Sequence, residues 1–160
     1  MYAVRKWSVR HSRRLEWFYL KFEWLILALH PLLQVIGYQR LEKPVAFVEK
    51  IVKGFMFDCK MCGNCVLSAT GMSCPMNCPK QLRNGPCGGV RANGKCEVIP
   101  DMLCVWTESY SGSRNMRRGD NIMLVQAPVD RSIEGNSSWL REIRKLREAH
   151  DAKKRMLIQS

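Results

Sequence analysis

The chain has 160 residues, 46% of them apolar and 25% charged, with a net charge of +12. That length suits one domain with extensions, since domains commonly hold about 100–150 residues, and it excludes a complete (β/α)₈ barrel, which takes about 250. The surplus positive charge sits in the flanks, where it serves either as a solubilising coat or as an attractant for polyanions, acidic protein surfaces or anionic lipid.

Met1 to Arg14 carries Arg5, Lys6, Arg10, Arg13 and Arg14 and no acid. The apolar spacing predicts a long helix from Val4 to Leu29, ended at His30-Pro31 because proline disfavours a helical predecessor and donates no N–H. Leu15, Phe18, Phe22, Leu25, Ile26 and Leu29 fall on one face of it, a stripe that covers the chain's own core or docks elsewhere. Lys21 and Glu23 interrupt the apolar region and no small-residue cleavage site follows, which argues against a signal peptide. The charge-free run Trp24 to Gln39 is shorter than the ~20 residues of a spanning helix. The expectation is a cytoplasmic chain that does not span a membrane, in a compartment that keeps thiols reduced.

A second helix is predicted from Pro44 to Lys53, with Gly54 as its stop and Val48, Ile51 and Val52 as its buried side. Residues 55–106 read as loops and turns around the cysteines, and Ser111 to Asp120 as a flexible basic linker. "NIMLVQ", Asn121 to Gln126, reads as a short strand ended by Pro128. A last helix runs from Ser138, a good N-cap, to about Arg155, with Leu140, Ile143 and Leu146 as its stripe. The expected fold is therefore small α plus irregular: an N-terminal basic, amphipathic helical docking segment over 1–42, a Cys-rich, metal-stapled loop domain with little regular structure over 43–110, and a basic linker, short strand and C-terminal helix over 111–160. No P-loop, dinucleotide fingerprint or nucleophile elbow is present, so no catalytic site of its own is expected.

The chemistry-bearing residues are eight cysteines. Cys59, Cys62 and Cys65 form a C-x₂-C-x₂-C run, which a tight backbone wrap turns toward one centre. Cys74 and Cys78 each precede a proline, Cys87 lies in the glycine-rich "NGPCGG", Cys96 follows the turn Asn93-Gly94, and Cys104 precedes Val105-Trp106. Eight is the number that two four-thiolate sites use. Zinc sites usually use separated C-x₂-C pairs, whereas a third cysteine at the same short interval is more typical of iron–sulfur clusters. His11, His30 and His150 all lie outside the block, which argues against a mixed Cys/His zinc site. Structural disulfides suit a reducing compartment poorly, and a redox C-x-x-C pair needs only two of the eight. Iron–sulfur is the leading reading and zinc the next, with the grouping of the cysteines open. Gly85, Gly88 and Gly89 are placed to bring backbone N–H groups to sulfur, and Lys60, Lys80, Arg83 and Arg91 to offset a cluster's negative charge.

The stretch "CKMCGNCVLSATGMSCPMNCPKQLRNGPCGGVRANGKCEVIPDMLCVW" resembles the cysteine-rich C-terminal domain of methylenetetrahydrofolate reductases, which also occurs as a small subunit beside a flavin-bearing barrel subunit. The likeness is most specific over Lys43 to Trp106, in "TGMSCPMNCPK", "NGPCGGV" and "PDMLCVW". The resemblance implies a partner that reduces 5,10-methylenetetrahydrofolate to 5-methyltetrahydrofolate on its flavin, assisted by this metal-binding subunit through electron transfer or structural support. All eight cysteines carry over as candidate ligands for one or two [4Fe–4S] clusters, or one cluster and zinc. The N- and C-terminal helices are expected to dock on the barrel subunit, and the electron donor is unspecified. Two rivals remain: a Cys₄-zinc nucleic-acid-binding module, suggested by the basic flanks, and an interfacial membrane electron carrier, suggested by Trp17, Trp24 and the leucines of a basic helix.

Overall fold

The computed structural model describes residues 2–159, without the side chains of residues 150, 153, 154 and 157–159. Five α-helices follow one another: α1 (Tyr2–Arg10), α2 (Ser12–Ile36), α3 (Tyr38–Phe57), α4 (Val105–Ser113) and α5 (Ser138–Gln159). Short 3₁₀ turns lie at Pro75–Asn77, Gly119–Met123 and Arg131–Ile133. Among the described residues there is no strand, only an isolated antiparallel bridge between Lys95 and Leu103. The fold is thus small and helical, with the cysteines in the irregular stretch between α3 and α4.

The single long N-terminal helix of the sequence reading is two. The chain breaks at His11, and the flanking serines stitch the halves to the rest: Ser8 Oγ donates to the Met56 carbonyl at 2.9 Å and Ser12 Oγ to the Gly112 carbonyl at 2.8 Å. Pro31 does not end α2. It removes one bond from a 25-residue ladder, whereas the reversal falls at Gly37, whose φ of +93° suits a residue without a Cβ. Extended in this way, α2 is long and apolar enough to cross a membrane by length and composition, although none of its most apolar stretch is fully buried.

The helix α3 inverts its expected orientation. Its buried residues are Glu49, Lys53 and Phe57, four apart, while Val48, Ile51 and Val52 are exposed, together with Phe47 and Phe55. The reason lies in what Glu49 binds. Its carboxylate accepts from Lys53 Nζ (2.7 Å), Ser137 Oγ (2.7 Å), Ser138 Oγ and the Trp139 N–H (3.2 Å). Glu42 takes the Ser137 N–H at 2.5 Å. Two glutamates of α3 thus satisfy the free donors at the start of α5, where negative charge also suits the helix dipole. Ser137, rather than Ser138, is the capping hydroxyl, accepting the Leu140 N–H at 3.3 Å. Leu140 and Ile143 of α5 are buried as the sequence leads one to expect. Gly54 does not stop α3 either; the helix runs one turn further because Phe57 enters the core, and Asp58, at φ 52°, makes the left-handed cap.

The core lies between the cysteine block and the adjoining ends of α2 and α3. Phe57, Leu67, Met72, Cys74, Met76 and Met116 form it, with Leu15, Met56 and Val129 packed around. Unbranched methionine fills the irregular gaps that turns leave. The stretch 111–120 is packed rather than a free linker: Gly112, Ser113 and Met116 are buried, and the Glu16 carboxylate accepts the N–H groups of Arg117 (2.7 Å) and Arg118 (2.9 Å). Residues 121–126 form no strand because no neighbouring strand offers a ladder. Asn84 holds Gln126 instead, donating to its carbonyl at 2.9 Å and accepting its N–H at 2.6 Å. At Gly71 (φ +60°) the turn meets α4 backbone to backbone; an added Cβ would lie 2.2 Å from the Ser109 carbonyl oxygen.

Replacing Glu49 tests this arrangement. Glu49→Ala leaves a buried ammonium without its counter-charge, with only Ser138 Oγ to accept from it, and removes an acceptor from the start of α5, so the urea midpoint is expected to fall by the equivalent of about 3–5 kcal/mol. Glu49→Gln, which keeps an acceptor oxygen, is expected to lose less. Gly71→Ala is expected to destabilise the fold whatever happens elsewhere, through both the clash and the left-handed φ.

Candidate metal centres

All eight cysteines are free thiols, and the turns between α3 and α4 sort them into two sets. Cys59, Cys62, Cys65 and Cys74 line one small cavity. Cys78, Cys87, Cys96 and Cys104 line a second. The division that spacing leaves open is therefore made by the fold, with the first four cysteines in one group and the last four in the other. The two sets join through the 3₁₀ turn Pro75–Asn77. At about 2 Å rise per residue, that turn keeps the Cα atoms of Cys74 and Cys78 within about 10 Å.

The first cavity is built by the exit from α3. The Schellman-like cap, with the Cys59 N–H on the Lys53 carbonyl (3.3 Å) and the Asp58 N–H on Gly54 (3.0 Å), turns the chain back over its own helix end. Further positive φ values at Met61 (49°) and Gly63 (70°) then coil Cys59 to Cys65 tightly. Gly63 is held there by contact as well, since a Cβ would lie 2.3 Å from the Ile133 carbonyl oxygen. The left-handed Met61 costs about 1 kcal/mol or more, strain of the kind that gathers at functional turns. Its N–H points at Cys59 Sγ, 3.4 Å away.

Cations stand behind this cavity. The buried Arg83 donates to the Asn64 carbonyl (2.9 Å) and the Ala127 carbonyl (2.9 Å), and its third contact is Cys62 Sγ at 3.7 Å. Lys53 sits near Cys65: burial works against its ammonium, but the charges of Cys65 and Glu49 outweigh that and hold its pKa above the ordinary lysine value. Tyr19 is pushed up by burial, with Cys65 adding to it. Burial, together with the neighbouring thiols, raises Cys74 to about 12. Burial likewise raises Cys59 to about 11, against the opposing Met61 N–H. Without a metal these two sulfurs are neutral thiols at physiological pH, and only an electrophile strong enough to displace their protons will bind.

The second cavity is built by a hairpin-like loop. The Cys96 N–H donates to Met102 O and the Cys104 N–H to Gly94 O, both at 2.9 Å, while Trp106 Nε1 donates to Leu82 O at 3.0 Å. Cys104 is the residue that enters α4. Lys80 pairs with Glu97, which also receives Cys87 Sγ at 3.5 Å. Of the four cations proposed from sequence, Arg83 therefore touches a candidate sulfur, Lys80 pairs with Glu97 beside Cys87, and Lys60 is taken up by Asp58 (2.8 Å). Arg91 is directed to the Glu97 carbonyl at 3.4 Å. No hydrogen bond from Gly85, Gly88 or Gly89 to sulfur is formed among the described residues; Gly89 instead leaves room for the Glu97 side chain. Glu49 and Lys53 went unread as site residues, although their i,i+4 spacing one turn before Cys59 was visible. Among the described residues no group of three or more His, Cys, Asp or Glu is arranged to hold a metal ion, so the metal-stapled loop domain expected from sequence is not shown. Each set of four thiols contributes to the lining of a cavity.

In the metal-free chain, alkylation at pH 8 is expected to modify the half-buried Cys78 and Cys87 early. Cys74, buried and pushed up to about 12, is expected to react at least about a hundredfold more slowly than free cysteine, as peptide mass spectrometry over time will read. Early modification of Cys74 would mean that the first cavity is open.

A family model described as methylene-tetrahydrofolate reductase C terminal matches residues 38–132. The matched stretch holds α3, all eight cysteines and α4, and it leaves out α1, α2 and α5. No curated protein and no solved structure matches the chain.

Proposed function

Because the chain belongs to the methylene-tetrahydrofolate reductase C-terminal family, we propose that it is a metal-binding accessory subunit of a methylenetetrahydrofolate reductase, holding iron–sulfur clusters beside a partner that carries the flavin. The observation that carries this reading is the division of the eight cysteines into two cavities of four. A four-iron cluster takes one thiolate on each iron, so its ligands ring a volume instead of closing on a point, and a cavity lined by four cysteines is the donor set it needs. Lys53 and Arg83 beside the first cavity supply positive charge for an anionic centre. When bound, such clusters supply one-electron transfer and brace the turns that hold them.

On this reading each residue has a part. Cys59, Cys62, Cys65 and Cys74 hold one cluster, and Cys78, Cys87, Cys96 and Cys104 hold the other. The turn Pro75–Asn77 keeps the two close enough for electrons to pass between them. Cys59 also lines an open groove with Lys43, Phe47, Lys50 and Lys60, so one edge of the first site reaches the surface there. Next to that groove lies the exposed apolar side of α3: Phe47, Val48, Ile51, Val52 and Phe55. This side falls within the stretch the family shares, so it is the face assigned to the reductase subunit, which performs the reduction of 5,10-methylenetetrahydrofolate.

Anaerobic purification followed by iron, sulfide and zinc analysis tests the metal assignment. Two four-iron clusters are expected, and Cys65→Ser and Cys96→Ser are each expected to lose about half of the iron, because they fall in different cavities. Zinc alone, or no metal, overturns the assignment. Docking is tested separately by co-expression with the reductase subunit. Phe47→Asp combined with Ile51→Asp is expected to abolish co-purification while leaving the iron content intact, and retained co-purification would move the interface elsewhere.

A further inference from the structure

The helix α2 presents a second apolar face, and it lies outside the residues the family shares. Trp17, Phe18, Trp24, Leu25, Leu32 and Val35 are all exposed. At 100° per residue they fall within an arc of about 120°. Between Trp17 and Ile36 the only charged side chain on that arc is Lys21, and the only other hydrogen-bonding groups are the indole N–H groups of Trp17 and Trp24. Its ammonium lies 5.9 Å from the centre of the Trp17 ring, with a stem long enough to carry the charge to the edge of the apolar face.

At the N-terminal end of this face an open groove is lined by Arg13, Arg14 and Arg117 together with Trp17 and Phe18. The carboxylate in the groove, Glu16, is turned inward to the backbone N–H groups of Arg117 and Arg118. None of the ion pairs among the described residues involves Arg13, Arg14 or Arg117. Three uncompensated guanidiniums thus adjoin a long apolar and aromatic strip.

We propose that this face seats the protein on an anionic lipid bilayer, with the stripe lying in the boundary between headgroups and acyl chains and the three arginines on lipid phosphates. The arrangement is the one that interfacial helices use: apolar and tryptophan residues on one side, basic residues beside them. The helix lies on the membrane instead of crossing it, because its other side is fastened to the domain. Ser12 bonds to Gly112, Glu16 to the backbone of Arg117 and Arg118, and the Phe22 ring meets Trp139 at 4.8 Å. A strip whose polar groups are two indole N–H groups and one long-stemmed lysine suits the boundary between headgroups and acyl chains, and the arginines select the charge of the surface.

Flotation of the full chain with vesicles tests this, independently of metal content. Binding is expected to equimolar phosphatidylcholine–phosphatidylglycerol vesicles and not to phosphatidylcholine alone, and to weaken with salt. Arg13→Glu combined with Arg14→Glu is expected to weaken it by more than about tenfold, while Arg13→Lys with Arg14→Lys retains it. Trp24→Ser with Leu32→Ser, both at exposed positions, is expected to abolish flotation while the circular dichroism stays helical. No flotation with the anionic vesicles overturns the proposal, as does flotation indifferent to the arginine reversal. Loss of flotation when the reductase subunit is added would overturn it too, by showing that a protein covers the face.

Discussion

The buried carboxylate of Glu49 is the bond on which the rest of this small structure turns. It lies on α3, yet its partners are a lysine one turn on and the first residues of α5, nearly ninety positions later in the chain. An unpartnered charge at that depth would cost several kcal/mol, so lysine, serines and helix end must all be in place together. That requirement turns α3 about its axis. Its charged side faces in, its aliphatic side faces out, and Lys53 is delivered to the back of the first cysteine cavity.

The cysteines depend on this placement in two ways. The end of α3 begins the coil from Cys59 to Cys65, and α4 begins at Cys104, so the helices bracket the thiol-bearing turns. Between them the chain has few large aliphatics, and methionines and cysteines share the core. Four thiols around each cavity, with Arg83 and Lys53 behind the first, make a donor set whose binding energy would add to a core that is modest by area. On the proposed reading metal loading would be coupled to folding, since the thiols line their cavities only when the turns are formed.

Two apolar faces remain open, and they differ in kind. The α3 face adjoins the groove at Cys59 and belongs to the shared family stretch. The α2 face lies outside that stretch and ends in a groove of arginines. Placing the reductase on one and a lipid surface on the other gives each a distinct occupant. It also keeps the first cysteine site close to the protein partner.

The sequence by itself determined the chemistry. Eight cysteines in a block poor in aliphatics, with C-x₂-C-x₂-C at its start and "NGPCGGV" within it, pointed to the family from local sequence alone and supplied the candidate ligands. It also announced α5, whose stripe at Leu140 and Ile143 follows the helical period. What it misplaced were the boundaries and the buried faces. Pro31, Pro44 and Gly54 read as punctuation, yet each lies inside a helix, because the burial of Phe57 and the reversal at Gly37 outweigh local propensity. Val48, Ile51 and Val52 read as core because hydropathy is the strongest periodic signal on α3. Only the tertiary structure decided that Glu49 and Lys53 go inside, since the N–H groups and hydroxyls that reward their burial come from the distant start of α5. The same holds for the pairing of Cys74 with the first three cysteines and of Cys78 with the last three: spacing records how far apart two thiols are along the chain, and only the fold decides which cavity each one reaches.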